Sequence, residues 1–325
     1  MKRIILTLTF LILYLFVFSQ GQPEDKEKSR IANSKVQKSI QWTYKYAQGK
    51  INPKGYITTE SKYDDKGNVI EVLNYKANGQ VSSKLLYKYD KNNYKIEYQK
   101  FEKKDKPEIE LTYKQSFIYD EKGNKKIENG FDGLSPYKIL YNYLPDGKTK
   151  YITKYASDNS ITEKWESTYS KNVQTIKILK LGKNLDYILI RKTDSRGNLI
   201  EETRNDSKGK EVKRVTSEFD ANNLLVSNAE YYSGKLSKNF KYKYNNQNQI
   251  IEIIQINPDG TESLDRAYKY DSKGILLEEK WFDGIPNEFS SKNFRYNDKS
   301  NPAEVESYYS DYKYKVLYKY TYEYR

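Results

Sequence analysis

The sequence predicts an all-β protein, an antiparallel meander of about ten two-stranded hairpin repeats that forms one long, twisted or spiralling sheet or shell. Three observations support this prediction. An aromatic residue recurs with a period of about 26 residues, and each recurrence is followed by a turn signal. Between the turns, large aromatic residues alternate with polar ones, which is typical of β-strands.

The repeat is defined by its aromatic anchor. Successive anchors are separated by 24 to 30 residues, most often by 26. A nearly fixed spacing of this size is typical of an array in which one structural unit is repeated. The ten anchor positions are Tyr63, Tyr89, Tyr119, Tyr143, Tyr169, Thr193, Phe219, Tyr244, Tyr270 and Tyr296.

Each anchor is followed by the chemistry of a tight turn. At eight of the ten positions the next residue is Asp or Asn, whose side chain accepts a hydrogen bond from the backbone two residues later. Four residues after the anchor, Gly or Asn again occupies eight of ten positions, and these residues best tolerate a positive φ. We therefore predict a type I turn with a G1 bulge. The clearest structural turn positions are the pairs Asp64 and Gly67, Asp120 and Gly123, Asp194 and Gly197, and Asp271 and Gly274.

The segments between the turns alternate with a period of two. Tyr268 and Tyr270 point to one face of their strand and Lys269 points to the other, and similar triplets recur at other anchors. One face of the sheet is therefore predicted to be aromatic and the other mostly charged. A second turn signal follows about half a period later, so we expect about 20 strands in sequence. The pattern leaves open whether they form an open ribbon or a closed shell.

Three segments are predicted along the chain. Residues 1–19 are predicted to be a signal peptide, because Lys2 and Arg3 precede a long uncharged run that ends near the small residue Ser19. Residues 20–41 form a polar leader, with a short helix as one option, and residues 42–325 form the hairpin array. We expect an exported protein that is periplasmic, displayed on the cell surface or secreted, and that contains no integral membrane segment after signal cleavage.

The anchors and turns resemble a known repeat. The segments KYDDKGNVIE, which begins at Lys62, and YKYDSKGILLEE, which begins at Tyr268, are similar to the YD repeats of the RHS family, and the likeness covers about residues 42–325. This resemblance implies an exported protein whose hairpins spiral into a shell, with an accessory role in a polymorphic-toxin system as one function. The usual Arg-Leu after the turn glycine is replaced here, for example by Asn68-Val69. The composition also resembles that of exported proteins of the Bacteroidetes.

The composition excludes much catalytic chemistry. The chain contains no His and no Cys, so the commonest general base, the commonest zinc ligand and every thiolate are missing. Adjacent carboxylates such as those of Glu278 and Glu279 point to opposite faces of a strand and cannot flank one bond. The Asp-rich turns carry a cation such as Lys66 where calcium would bind. We predict no catalytic residue, no cofactor and no metal.

The charge indicates the class of partner. Removing Lys2 and Arg3 from the 57 basic residues leaves 55 against 44 acidic residues, a charge of +11. In an exported protein this favours an anionic polysaccharide or an envelope protein over nucleic acid, although interspersed Lys and Glu are also typical of solvated strand faces. The candidate binding aromatics are Trp42, Trp165 and Trp281, which could stack on sugars or could belong to the core.

The resulting hypothesis is a non-enzymatic exported repeat protein that serves the cell envelope or secretome as a binding or structural module. Two alternatives stay open. One is a carbohydrate-active enzyme whose carboxylates converge only in three dimensions, and the other is the toxin-shell accessory. Two carboxylates about 5 to 9.5 Å apart in one cleft would favour the enzyme.

Overall fold

The computed structural model describes residues 23–103, 108–285 and 287–325. One helix, α1 (Pro23–Asn33), precedes the strands. The strands are β1 (Val36–Ala47), β2 (Lys50–Ile51), β3 (Tyr56–Tyr63), β4 (Val69–Tyr75), β5 (Val81–Tyr89), β6 (Lys95–Lys103), β7 (Ile109–Tyr119), β8 (Lys125–Phe131), β9 (Pro136–Tyr143), β10 (Thr149–Tyr155), β11 (Ile161–Ser170), β12 (Val173–Lys180), β13 (Asn184–Thr193), β14 (Leu199–Asp206), β15 (Glu211–Phe219), β16 (Leu225–Tyr232), β17 (Lys235–Tyr244), β18 (Ile250–Ile256), β19 (Glu262–Tyr270), β20 (Leu276–Phe282), β21 (Phe289–Tyr296), β22 (Pro302–Tyr309) and β23 (Tyr314–Tyr324). The predicted signal peptide lies outside the described residues, and the predicted domain division stays a prediction.

The strands form a closed antiparallel barrel of 22 strands, with β2 as a two-residue strand on the connection from β1 to β3. Each strand from β4 to β22 pairs with the strands before and after it in the chain, and β1 closes the ring by pairing with β3 on one side and with β23 on the other. The predicted open or spiralling sheet is therefore wrong, although the all-β class is correct.

The closure has a physical reason. An open sheet would leave the backbone N–H and C=O groups of its two edge strands unpaired, and joining the edges removes them. Nine residue pairs join β1 to β23, from Val36 with Tyr324 to Lys45 with Val316. Register shifts accompany most of the other strand pairings, and bulges of this kind bend and twist a sheet.

The two ends of the barrel differ in the turns that they carry. We call the end with the turns that follow the anchors the repeat rim and the other end the opposite rim. At the repeat rim, nine turns share two backbone hydrogen bonds: the first turn residue donates to the residue four positions later, and the fourth donates back to the first, at 2.8 to 3.2 Å. These turns begin at Asp64, Asp90, Asp120, Leu144, Asp194, Asp220, Asn245, Asp271 and Asn297.

The two faces of the sheet also differ. One face, which we call the tyrosine face, carries the anchors and the aromatic residues two positions before them. On the other, which we call the charged face, six Lys or Arg side chains one residue before an anchor pair with a Glu directly opposite at 2.5 to 3.0 Å. The pairs are Lys62–Glu71, Lys88–Glu97, Lys192–Glu201, Lys243–Glu252, Lys269–Glu278 and Arg295–Glu304.

Apolar packing is thin and local, as expected for a sheet that closes around itself. The largest buried cluster joins Ile176, Ile178 and Leu189, with Trp165 and Tyr187 packed against it. Most other strand residues are only partly buried. Stability must therefore come largely from the hydrogen-bonded ladders and from the contacts that recur in each repeat.

Candidate anion-binding site at the closing seam

The predicted turn residues lie at the repeat rim, where they shape the turns. Gly67, Gly123, Gly197 and Gly274 all have left-handed backbone, with φ between +79° and +89°. One carboxylate oxygen of the Asp at the start of each of these turns accepts hydrogen bonds from the backbone N–H groups two and four residues later, at 2.8 to 3.0 Å. These oxygens therefore serve the turns, which satisfies the backbone donors without a cation.

Side chains after the turn glycine link neighbouring turns, a role that the sequence analysis missed. The amide nitrogen of Asn68 donates to the side-chain oxygen of Asn93, and that of Asn198 donates to Asn223 at 3.0 Å. In each case the partner lies 25 residues further along the chain, in the next turn of the rim. Asparagine directly after the turn glycine, as at positions 68 and 198, is the signal that could have indicated this link.

Six anchor tyrosines, and Tyr322 one period after the last of them, tie their hairpins to the preceding ones. Seven tyrosine hydroxyls donate to the carbonyl oxygen of the first residue of the neighbouring return strand, at 2.7 to 3.0 Å. Burial raises the pKa of Tyr244 and of Tyr270 to about 12. The seven tyrosines are Tyr119, Tyr143, Tyr169, Tyr244, Tyr270, Tyr296 and Tyr322.

The three candidate tryptophans do not form one site. Trp165, on β11, is partly buried and packs against the cluster of Ile176, Ile178 and Leu189. Trp281, on β20, packs edge-on against Tyr309 with ring centroids 6.1 Å apart. Trp42 lies opposite Lys319 and Ile57 in the barrel closure. Because these strands are far apart around the ring, a shared sugar platform is not built from them.

We call the pairing of β1 with β23 the closing seam. It interrupts the repeat rim, because no turn connects these two strands. Helix α1 lies across this interval and contacts the turns on both sides. Arg30 donates to the side-chain oxygen of Asn301 at 3.1 Å on one side. On the other side the backbone of α1 approaches so closely that a Cβ at Gly67 would lie 2.2 Å from the carbonyl oxygen of Lys28. The buried side chains of Ile31 and Val36 fix the helix on the barrel.

The carboxyl-terminal residue completes the seam. The backbone N–H of Arg325 donates to the carbonyl oxygen of Lys35 at 2.9 Å. Its guanidinium pairs with Asp65 at 2.9 Å and donates to the carbonyl oxygen of Tyr63 at 2.6 Å. The two ends of the array are therefore joined by side chains as well as by strand pairing.

A basic cavity of about 770 Å³ lies between α1 and the turn that joins β21 to β22. Four of its lining residues are cationic, none is acidic, and three carry hydroxyl groups, of which that of Ser34 already donates to the carbonyl oxygen of Arg30. Lys299 is held with its ammonium 3.6 Å from the ring centroid of Tyr324. Arg30 is anchored by Asn301 and also contacts Glu27 at 3.5 Å. The lining residues are Lys26, Ser29, Arg30, Asn33, Ser34, Lys35, Lys299 and Ser300.

A second, smaller cavity tests the enzymatic alternative. It measures about 300 Å³ on the charged face of the seam and includes Glu304 and Glu306. The Lys319 ammonium at 2.9 Å holds the pKa of Glu304 below its ordinary value. Burial opposes the same shift at Glu306, but the Tyr46 hydroxyl and the Lys315 ammonium hold that pKa below its ordinary value as well.

Glycoside hydrolysis needs one of two carboxyls to stay protonated as the general acid. Both carboxylates of this cavity are instead held in the ionised form by their cationic or hydroxyl partners. Paired carboxylates of this kind suit a structural ion-pair network. The cavity therefore does not favour the carbohydrate-active enzyme.

The comparisons with known proteins give no family. No protein-family model matches the chain, and no curated protein matches it. Within the described ranges, no helix is long and apolar enough to cross a bilayer.

Similar solved structures include a toxin complex and two porin-like proteins. The crystal structure titled TcdB2-TccC3-Cdc42 has a TM-score of 0.31 and 10% identity, with 85% of this chain and 19% of that chain covered. A porin-like protein from Bacteroides uniformis has a TM-score of 0.30 and 12% identity, with 89% and 97% covered. One from Bacteroides vulgatus has a TM-score of 0.24 and 13% identity, with 89% and 98% covered. This chain spans about a fifth of the toxin-complex chain. TM-scores this low do not assign a fold, so the fold of this chain is defined by its own strand pairing.

Proposed function

We propose that this chain is a non-enzymatic, exported β-barrel of the cell envelope or secretome that binds an anionic polysaccharide at the basic cavity of the closing seam. The observation that supports this proposal is the composition of the cavity: Lys26, Arg30, Lys35 and Lys299 surround about 770 Å³, and no carboxylate is among the lining residues. On the charged face of the sheet, by contrast, many lysines are paired with glutamates and their charge is locally neutralised.

The cavity also suits a saccharide in shape and chemistry. Its volume lies within the range of small-molecule sites, which is about 300 to 1,000 Å³. The hydroxyl groups of Ser29 and Ser300 can exchange hydrogen bonds with sugar hydroxyls, while the lysines attract carboxylate or sulfate groups.

We further propose that the barrel does not span a membrane. The six Lys or Arg–Glu pairs lie in a row on the charged face. On a lipid-facing surface a charged side chain costs about 2 to 4 kcal/mol at the bilayer midplane. The tyrosine face also carries an ion pair, between Arg191 and Glu202 at 2.7 Å, so a lipid-facing surface on either side of the sheet would hold charges.

The test is a binding titration with a defined polyanion. Fluorescein-labelled dextran sulfate would be titrated with the mature chain, residues 20–325, and anisotropy would be recorded at low and high salt, with neutral dextran as the control ligand. The double variant Lys26→Gln/Lys299→Gln should weaken binding by about three- to tenfold, because each lost contact is worth a fraction of a kcal/mol at an exposed site.

The matched control is Lys126→Gln/Lys138→Gln, which removes the same charge from exposed positions on β8 and β9. It should bind like the unchanged chain. If both double variants lose equal affinity, the polyanion binds to the overall positive charge and the cavity is not the site. Equal binding of neutral dextran would also contradict the proposal.

A further inference from the structure

Exposed apolar side chains are concentrated at one end of the barrel. Of the fourteen large apolar residues that are exposed within the described ranges, ten lie at the opposite rim or in the adjoining halves of the strands. This is the end away from the basic cavity. These side chains are spread over separate hairpins of this rim and do not join into one continuous patch.

The most exposed of these residues lie at the tips of separate hairpins. Leu134 follows β8 and is 89% exposed, Tyr312 follows β22 and is 79% exposed, and Leu181 follows β12 and is 64% exposed. Ile51, on the connection between β1 and β3, is also exposed at this rim. The sequences of the predicted turns at the repeat rim, such as Asp64-Asp65-Lys66-Gly67, are polar instead. A leucine side chain at an exposed hairpin tip makes little contact with the rest of the barrel, so packing within the fold does not explain why leucine occupies this position.

The spacing of these tips favours a lipid bilayer over a protein as the contact. A stable protein interface needs a continuous, well-packed surface of about 800 Å² on each partner. Leu134, Leu181 and Tyr312 lie on hairpins that are several strands apart and do not supply one. A fluid bilayer accepts separate protrusions, because each can insert its own apolar group to the depth of the headgroup boundary.

Two of the tips have a lysine beside them that fits the charge of a lipid surface. Lys50 precedes Ile51, and Lys183 lies two residues after Leu181. At Tyr312 the adjacent Lys313 is paired with Glu288 instead. Lysines next to inserted apolar groups can extend their ammonium groups to anionic headgroups. A tyrosine with an apolar ring and a polar hydroxyl is the residue type that is enriched at membrane interfaces.

We infer that the opposite rim docks peripherally on a bilayer that contains anionic lipid, with Leu134, Leu181 and Tyr312 inserted at the headgroup boundary. The barrel then stands on the membrane without crossing it. The basic cavity faces away from the lipid. This inference does not depend on polysaccharide binding, since the two surfaces lie at different ends of the barrel.

The test is co-sedimentation of the mature chain with sucrose-loaded vesicles of phosphatidylcholine alone or of phosphatidylcholine with phosphatidylglycerol. The unchanged chain should sediment with the vesicles that contain phosphatidylglycerol. The triple variant Leu134→Asn/Leu181→Asn/Tyr312→Asn should lose at least about tenfold in vesicle partitioning, because each substitution removes the transfer of apolar surface out of water.

The matched control is Ile118→Asn/Ile200→Asn/Leu277→Asn, which changes three exposed apolar residues near the repeat rim. It should sediment like the unchanged chain. Equal loss in both triple variants, or an unchanged chain that stays in the supernatant with both vesicles, would overturn the inference. Circular dichroism and thermal unfolding check that the variants are folded, and Leu134→Asn alone is a milder substitute at the most exposed tip.

The polysaccharide variant separates the two proposals. Lys26→Gln/Lys299→Gln should still sediment with vesicles, and the tip variant should still bind dextran sulfate. Loss of vesicle binding in the lysine variant would mean that the basic cavity holds the lipid, which would contradict docking by the opposite rim.

Discussion

The two rims of the barrel are made by the same chain and the same kind of hairpin, yet they are organised differently. At the repeat rim, nine turns share one pattern of backbone hydrogen bonds, and side chains link one turn to the next. At the opposite rim, four described loops share that pattern, while others are shorter or differently bonded and expose apolar tips. Uniformity at one rim and variety at the other indicate that the first holds the fold and that the second is free to vary.

The seam has a distinct place in this comparison. The seam reaches the repeat rim but has no turn there. Helix α1 fills the gap between the neighbouring turns with residues that no repeat unit supplies. Both proposed functional surfaces therefore lie where the repeat is broken. Residues that recur in each unit are explained by architecture, and residues that depart from the unit are the candidates for function.

The largest effect is expected where a repeat turn meets the seam. Gly67→Ala should lower the free energy of unfolding by about 2 to 4 kcal/mol, because a Cβ there would strain the left-handed backbone and also collide with the Lys28 carbonyl oxygen. Urea unfolding measures the loss. Limited proteolysis within residues 20–35 should become faster as α1 is displaced.

Two matched variants isolate the contribution of the helix. Gly197→Ala at the same rim and Gly209→Ala at the opposite rim add a Cβ at similar φ, and neither Cβ would have a neighbour within 4 Å among the described atoms. Each should cost only the strain of the turn, about 1 to 2 kcal/mol. A loss at Gly67 no larger than theirs would show that α1 does not hold the seam.

Local features of this molecule could be predicted from sequence, and distant ones could not. The positive φ at Gly67 and Gly274 follows from turn chemistry within five residues. Closure of the barrel depends instead on β1 meeting β23, and no residue within a repeat specifies that meeting. The contact of Arg30 with Asn301 joins positions 271 residues apart, so the basic cavity has no local signal. Only the departure of the leader from the repeat indicated that this region would differ.

The second effect concerns the anchor tyrosines. Tyr270→Phe removes the hydrogen bond to the Ile250 carbonyl oxygen, which measures 3.0 Å, and should cost about 0.5 to 1.5 kcal/mol at neutral pH. Tyr312→Phe at the opposite rim changes an exposed phenol and should cost nothing measurable. Thermal unfolding of the two variants compares the rims directly, and equal losses would contradict a structural role for the anchor hydroxyls.

The same tyrosine predicts a dependence on alkaline pH. Burial raises the pKa of Tyr270 from 10.0 to about 12 in the folded chain. A raised pKa contributes stability that is complete below pH 10 and is lost as the pH rises through about 12. Unfolding followed across this interval should therefore show a steep fall for the unchanged chain and a shallower one for Tyr270→Phe.

The smallest effect concerns the ion pairs of the charged face. The Lys269 ammonium, at 2.5 Å, and the Lys280 ammonium, at 3.0 Å, hold the pKa of Glu278 below its ordinary value of 4.5. A lowered pKa contributes stability that is present above pH 4.5 and is lost as the pH falls through the folded value. Glu278→Gln should thus cost about 0.2 to 1 kcal/mol at neutral pH and should flatten the loss of stability in acid.

Glu288→Gln is the control at the opposite rim, where, among the described residues, the carboxylate pairs with Lys313 alone and is 38% exposed, against 15% for Glu278. Solvent screens the more exposed pair, so its removal should leave the acid unfolding curve unchanged. Urea unfolding at pH values above and below 4.5 measures both variants. If the acid unfolding curves of both variants flatten equally, any Lys–Glu pair contributes alike. The stability of the repeat rim would then come from its turns and tyrosines.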